Sequence, residues 1–343
     1  MIHYHIIPVD PKAHLFAVTM TVQKPHPKQV FSLPAWLPGS YMVRDFAKNI
    51  IDLKATGDNG EALHLTQLDK QTWSVEHQST QLILTYQVYA WDLSVRTAHL
   101  DMTHGFFNGS SVFLAAHGFE AGLHTVTMAA PTEPSLNEWR LATSMTRKSG
   151  DEFAFGEFCA QSYDELIDHP VEMGLFTHAS FEACGVRHDI VLNGRHRAHM
   201  PRLCQDLKAI CEYQIKLFGT PAPFERYLFM TTVLDNGFGG LEHRASTALM
   251  CSRKDLPLSM DAPINNDYRT YLSLCSHEYF HSWNVKRLKP AEFMPYDLRR
   301  ENHTELLWFF EGFTSYYDDL MLRRAGLIDD ATYLQLVAKT INQ

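Results

Sequence analysis

A helix that is apolar on several faces yet carries two histidines and a glutamate constrains this chain more than any other segment. It is centred on His277-Glu278-Tyr279-Phe280-His281, with Tyr271, Leu272, Leu274, Cys275 and Trp283 around the charged groups. Asn266 and Asp267 can cap its start, and Pro290 stops the chain beyond it. A helix of this kind is buried, and buried imidazoles and carboxylates need a partner. At about 3.6 residues per turn, positions i and i+4 share a face, so the nitrogens of His277 and His281 can converge on one ion. Glu278 then stands beside the ion, where a general base can take a proton from an attacking water. Simple packing, or a surface location, is the competing reading for a histidine pair at this spacing.

A metal needs a third ligand and an open position. A second helix is expected from near Asn302, with Glu305 as its capping-box partner, running through Leu306, Leu307, Trp308, Phe309, Phe310 and Phe313. Glu311 sits in that apolar run. It is either an outward-facing carboxylate of an amphipathic helix or the ligand that completes a His, His, Glu set around zinc; its pairing with the upstream motif selects the ligand. Asp318 follows two turns later on the same face, where it can accept the remaining N–H of a ligand histidine. A solvated acidic pair with Asp319 is the simpler account of it.

These segments resemble metallopeptidase family M61, the glycyl aminopeptidases, many of which carry a PDZ domain. The resemblance is carried by HEYFHSWNVKRLKP (His277 to Pro290) and WFFEGFTSYYDDL (Trp308 to Leu320). AWLPGSYMVRDFAKNI (Ala35 to Ile50), SVR (Ser94 to Arg96), GFFNGSS (Gly105 to Ser111) and SYDELIDHPVEMG (Ser162 to Gly174) extend it over nearly the whole chain. It implies a thermolysin-like (gluzincin) catalytic domain with one zinc ion on His277, His281 and Glu311, and Glu278 as catalytic base. It also implies a role for Gly239-Gly240-Leu241-Glu242. In related aminopeptidases a comparable Gly-rich strand pairs with the peptide backbone, and its glutamate holds the free amino terminus. On that basis Gly239, Gly240 and Glu242 are expected to bind substrate. The residues themselves also permit an ordinary hairpin with a solvated glutamate, after a buried strand at Tyr227 to Leu234 and a turn at Asp235-Asn236-Gly237.

Organisation along the chain points to an α+β protein. Period-two stretches at His14 to Val22, Gln81 to Tyr89 and Ser111 to Ala115 predict an antiparallel β domain over residues 1–165, and a peptidase domain is expected over 166–343. Pro201 opens a helix through Leu203, Leu207, Ile210, Cys211, Leu217 and Phe218, and Gly219 closes it. Asp330 can cap a last helix through Leu334, Val337 and Ile341, but no Gly, Pro or cap follows before Gln343. The catalytic domain is therefore expected to be incomplete at its carboxyl end. The oxyanion-stabilising tyrosine usual in such enzymes has no candidate, because Tyr316 and Tyr317 lie too close to Glu311.

Thirty basic against 39 acidic residues give a net charge of −9, which argues against nucleic acid as a partner. No stretch approaches the roughly eighteen apolar residues of a membrane span, and no signal peptide is evident. Six scattered cysteines without a CxxC pair read as reduced thiols, and a cytoplasmic location is expected. The reading reached is a zinc aminopeptidase acting on peptides with a free amino terminus and a small first residue, such as glycine or alanine. The alternative is a catalytically incomplete homologue that binds zinc or peptide without cleaving.

Overall fold

Alternation of apolar and polar residues builds the first half of the chain. Ile2–Asp10 buries Ile2, Tyr4 and Ile6; Leu15–Gln23 buries Phe16, Val18, Met20 and Val22; Gln81–Tyr89 buries Leu82, Leu84, Tyr86 and Val88. These strands pair antiparallel in a register that places Tyr4 opposite Met20 and Val18 opposite Tyr86. They form the middle of an eight-stranded sheet, and two four-stranded sheets accompany it. One strand pair of the large sheet, Ile2–Asp10 with His124–Met128, is parallel. The hydroxyls of Tyr4, Tyr86 and Tyr163 donate to the carbonyls of Leu114, Val112 and Phe113, each at 2.7 Å. Those bonds explain a departure from expectation. Ser111 to Ala115 is not a strand but a 3-10 turn, Gly109–Ser111, followed by a two-residue strand, Ala115–Ala116, because tyrosine hydroxyls occupy carbonyls that a strand would offer to a ladder.

The computed structural model describes residues 1–342 and separates into two compact units. One is Met1–Leu175 with Tyr296–Glu301; the other is Phe176–Pro295 with Asn302–Gln343. In the second unit a five-stranded sheet runs in the order Thr177–Ala183, Val186–Asn193, Arg226–Leu234, Ser246–Ser252, Gly239–Glu242. Its three central strands are parallel and its outer strands antiparallel, so Gly239–Glu242 is an edge strand. The central strand Arg226–Leu234 buries Tyr227, Leu228, Phe229, Met230 and Thr231 consecutively, the pattern of a strand covered on both faces.

The long helix Met200–Phe218 begins where the His199 side chain accepts from the Arg202 N–H, and it ends at Gly219 with φ 92°, a conformation that glycine adopts without strain. Leu203, Leu207, Ile210 and Cys211 of this helix share one core with Ile190, Leu192 and Phe229 of the sheet and Leu272 and Tyr279 of the motif helix. Together they make an α+β unit in which the histidine motif is packed against both other elements.

Asp189 is the charged knot of this sheet. Its fully buried carboxylate accepts from Arg226 Nε at 2.6 Å, Arg187 Nη2 at 2.9 Å and His178 Nε2 at 2.8 Å. Burial alone would push its pKa up, but His178 and then Arg226 outweigh burial and hold it below the usual carboxylate range. We expect Asp189→Asn to lower unfolding stability by about 2 kcal/mol near neutral pH. A depressed folded pKa gives stability that is fully present above the unfolded value of about 3.9 and is lost as pH falls further. Denaturant titrations of both proteins should therefore show a gap that narrows below pH 4; a constant gap would refute the charge argument.

Candidate metal centre

The motif helix Asn266–Phe280 is held at every turn. Asn265, one residue before the expected caps, accepts from the Tyr268 N–H. Tyr268 donates to Asp206 at 2.8 Å, Tyr271 pairs with Thr231 at 2.8 Å, Gln214 reaches the Ser276 carbonyl at 2.9 Å, and Tyr279 pairs with His188 at 2.8 Å. Burial lowers the His188 pKa to about 4, so this ring is neutral, with Nδ1–H donating to Val186 and Nε2 accepting from Tyr279. The helix ends at Phe280, well before Pro290, because the chain turns to bring the Asn284 carbonyl to His281 Nδ1 at 3.0 Å.

His277 and His281 converge as the i, i+4 spacing requires, with their Nε2 atoms 3.1 Å apart. Glu311 Oε2 lies 3.4 Å from His277 Nε2 and 3.7 Å from His281 Nε2. Donors at about 2.0–2.1 Å from a tetrahedral zinc stand roughly 3.3 Å from one another, so these three atoms fit one zinc ion. The orientation of both rings agrees. His281 Nδ1 is spent on Asn284, and His277 Nδ1 meets Asp318 Oδ2 at 3.1 Å, which leaves both Nε2 lone pairs facing the same point. Two such lone pairs in contact repel unless a proton or a metal cation lies between them.

Glu311 reaches this position by a route other than the one expected. No helix starts at Asn302 and Glu305 makes no capping box; Thr304 Oγ1 instead accepts the Leu306 N–H. A π-helical turn, Trp308–Gly312, carries Glu311 into the α-helix Phe313–Arg324. The Phe310 carbonyl is drawn off by the side chains of Asn284 and Thr314, which favours the wider turn. The run is not buried either. Phe310 is buried, but Trp308 is 64% exposed and Leu306, Leu307 and Phe313 are exposed; Trp308, Phe309, Phe310 and Phe313 contact one another ring to ring.

Asp318 packs partly buried against His277, and Ser276 Oγ donates to its carbonyl at 2.9 Å. Asp319 accepts from Ser273 Oγ at 2.8 Å, so the two carboxylates do not form a solvated pair. Burial raises the Asp318 pKa to about 6. Burial lowers the His277 pKa, but Asp318, Glu311 and Glu278 outweigh it and lift it to about 10, so these carboxylates favour positive charge at this ring, as a proton on Nε2 or as a cation in its place.

Glu278 is 5% exposed, its Oε2 has no hydrogen-bond partner among the described residues, and burial raises its pKa to about 7. Glu242, at the end of the edge strand, is buried and joins Glu278 and His281 in a second cluster, with one donor atom of each within 4.8 Å of the others. The two glycines differ. A Cβ on Gly239 would meet nothing within 4 Å, whereas a Cβ on Gly240 would lie 2.0 Å from Glu278 Oε1. Gly240 thus makes room for Glu278, and Gly239 is the open position. Asn284 and Ser273 were not legible in advance, since Asn284 orients His281 through a backbone carbonyl that any residue supplies. Tyr317 stacks on Phe280, and Tyr316 is exposed. Among the described residues no helix is long and apolar enough to cross a membrane.

The M61 peptidase N-terminal domain model matches residues 3–175, and the M61 glycyl aminopeptidase model matches residues 270–343. An aminopeptidase N family protein from Idiomarina loihiensis is 49% identical in sequence, with a TM-score of 0.95 over 97% of this chain and 56% of that one. An M1 zinc metallopeptidase from Deinococcus radiodurans shares the fold at 14% identity and TM-score 0.56, over 98% of this chain and 73% of that one. A two-domain M1 zinc metallopeptidase mutant bound to L-arginine does so at 14% identity and TM-score 0.57, over 99% and 74%. No curated protein matches the chain. The chain thus spans little more than half the length of the Idiomarina protein. With both family models matched and the fold shared throughout, the chain belongs to peptidase family M61.

Proposed function

We propose that this chain carries the zinc centre of a metallo-aminopeptidase that removes small amino-terminal residues, glycine or alanine, from peptides. The observation that carries this reading is the convergence of His277, His281 and Glu311 beside a buried Glu278 whose Oε2 has no partner among the described residues. His277, His281 and Glu311 would hold zinc, which when bound supplies a Lewis acid that polarises the scissile carbonyl and acidifies water. Glu278 takes a proton from the attacking water and passes it to the leaving amine; its raised pKa suits both halves of that transfer. Glu242 accepts hydrogen bonds from the substrate ammonium, which fixes the scissile bond one residue from the amino terminus. Gly239 leaves the edge strand open to the peptide backbone. Asp318 keeps the His277 proton on Nδ1. Specificity for glycine and alanine and a single zinc ion rest on the family resemblance alone, and a cytoplasmic setting rests on the six scattered, unpaired cysteines.

Three variants test the assignment. Glu278→Gln should retain zinc and lower glycyl-amide turnover by roughly 10²–10⁴-fold; full turnover would remove Glu278 from the mechanism. His277→Ala should lose zinc, measured by elemental analysis of the purified chain. Asp318→Asn should weaken zinc binding about 10–100-fold in chelator competition, and unchanged affinity would leave Asp318 a purely structural role. Bound zinc without any glycyl-amide turnover by the 343-residue chain would favour a binding homologue instead, and cleavage of amino-terminally blocked peptides an endopeptidase.

A further inference from the structure

The zinc-fitting triplet is not the pocket's only set of donors. Glu242, Glu278 and His281 form a second one, all three residues buried, with one donor atom of each within 4.8 Å of the others. The sets share His281. Its Nδ1 is held by the Asn284 carbonyl, so Nε2 is its one available donor and can serve only one ion. With zinc on His277, His281 and Glu311, the second set presents two carboxylates. One of them, Glu278, is 5% exposed and has an Oε2 without a partner. Two buried carboxylates this close repel each other; a shared proton relieves that repulsion, and so does a cation that both can reach. A substrate ammonium is one such cation. A divalent ion is another, and with oxygen donors and water in place of imidazole the chemistry selects a hard ion such as Mn²⁺ over a second zinc.

We propose that Glu242 and Glu278 form a second, inhibitory seat for a hard divalent cation, occupied beside zinc and in competition with the amino group of the substrate. The proposal rests on the reading of Glu242 as the amine anchor and adds a regulatory ligand to that site. An ion in the seat engages both the proposed base and the proposed anchor, so the loaded centre neither receives the ammonium nor moves the proton.

The test uses the 343-residue chain loaded with one equivalent of zinc and titrated with Mn²⁺, with free Mn²⁺ followed by electron paramagnetic resonance. One equivalent of Mn²⁺ should bind while zinc stays in place. Glu242→Gln should bind it at least tenfold more weakly, and Glu242→Asp, which keeps the charge, should lie between them. Mn²⁺ should also raise KM for glycyl amides and leave kcat unchanged. Equal Mn²⁺ affinity in wild type and in a folded Glu242→Gln chain would overturn the proposal. So would release of zinc in step with Mn²⁺ uptake, which would place the ion at His277. Absence of turnover by the zinc-loaded chain would count against the aminopeptidase reading and leave the resonance result to decide the seat by itself.

Discussion

Everything at the centre depends on one constraint: a helix buried against the sheet and the long helix must also present two imidazoles and a carboxylate to one point. The packing is achieved by tyrosines. Tyr268, Tyr271 and Tyr279 sink their rings into the core and spend their hydroxyls on Asp206, Thr231 and His188. Each bond satisfies a polar group that would otherwise cost a few kcal/mol in the interior. The helix is thereby fixed in rotation as well as position, and rotation decides whether His277 and His281 face Glu311 or the core.

Electrostatics then follow from burial. Glu278, Asp318, Glu311 and Glu242 gather around two imidazoles whose outer nitrogens are committed to Asp318 and to the Asn284 carbonyl. Such a group is unstable as a bare set of charges and stable around cations, which is how a site can be arranged for metal by the same forces that fold the chain. Burial also raises the proton affinity of Glu278, with its pKa lifted to about 7. The edge strand takes part as well, since a side chain at Gly240 would collide with the Glu278 carboxylate.

Much of this was legible along the chain because it rests on short-range periodicity. Alternation at Gln81 to Tyr89 marked a strand, Pro201 and Gly219 bracketed the long helix, and the i, i+4 spacing brought His277 to His281. The failures have a common cause. Ser111 to Ala115 alternates like a strand, yet its neighbouring carbonyls are claimed by tyrosines distant in sequence. The aromatic run before Glu311 reads as a buried helix, yet Asn284 and Thr314 draw off the Phe310 carbonyl and a π turn results. In both places a long-range hydrogen bond overrides a local preference.

The sequence by itself determined the two-part α+β plan, the family, and the spacing that brings His277 to His281, because hydrophobic period and helical spacing are local properties. Tertiary structure alone decided which atoms face which. It set the Nδ1 hydrogen bonds that free both Nε2 atoms, put Asp318 and not Asp319 behind His277, and gave adjacent glycines different surroundings. It also brought Glu242 up to Glu278 from a separate strand. Those outcomes depend on contacts between segments far apart in the chain, whose geometry is fixed only once the helix, the sheet edge and the π turn are packed together.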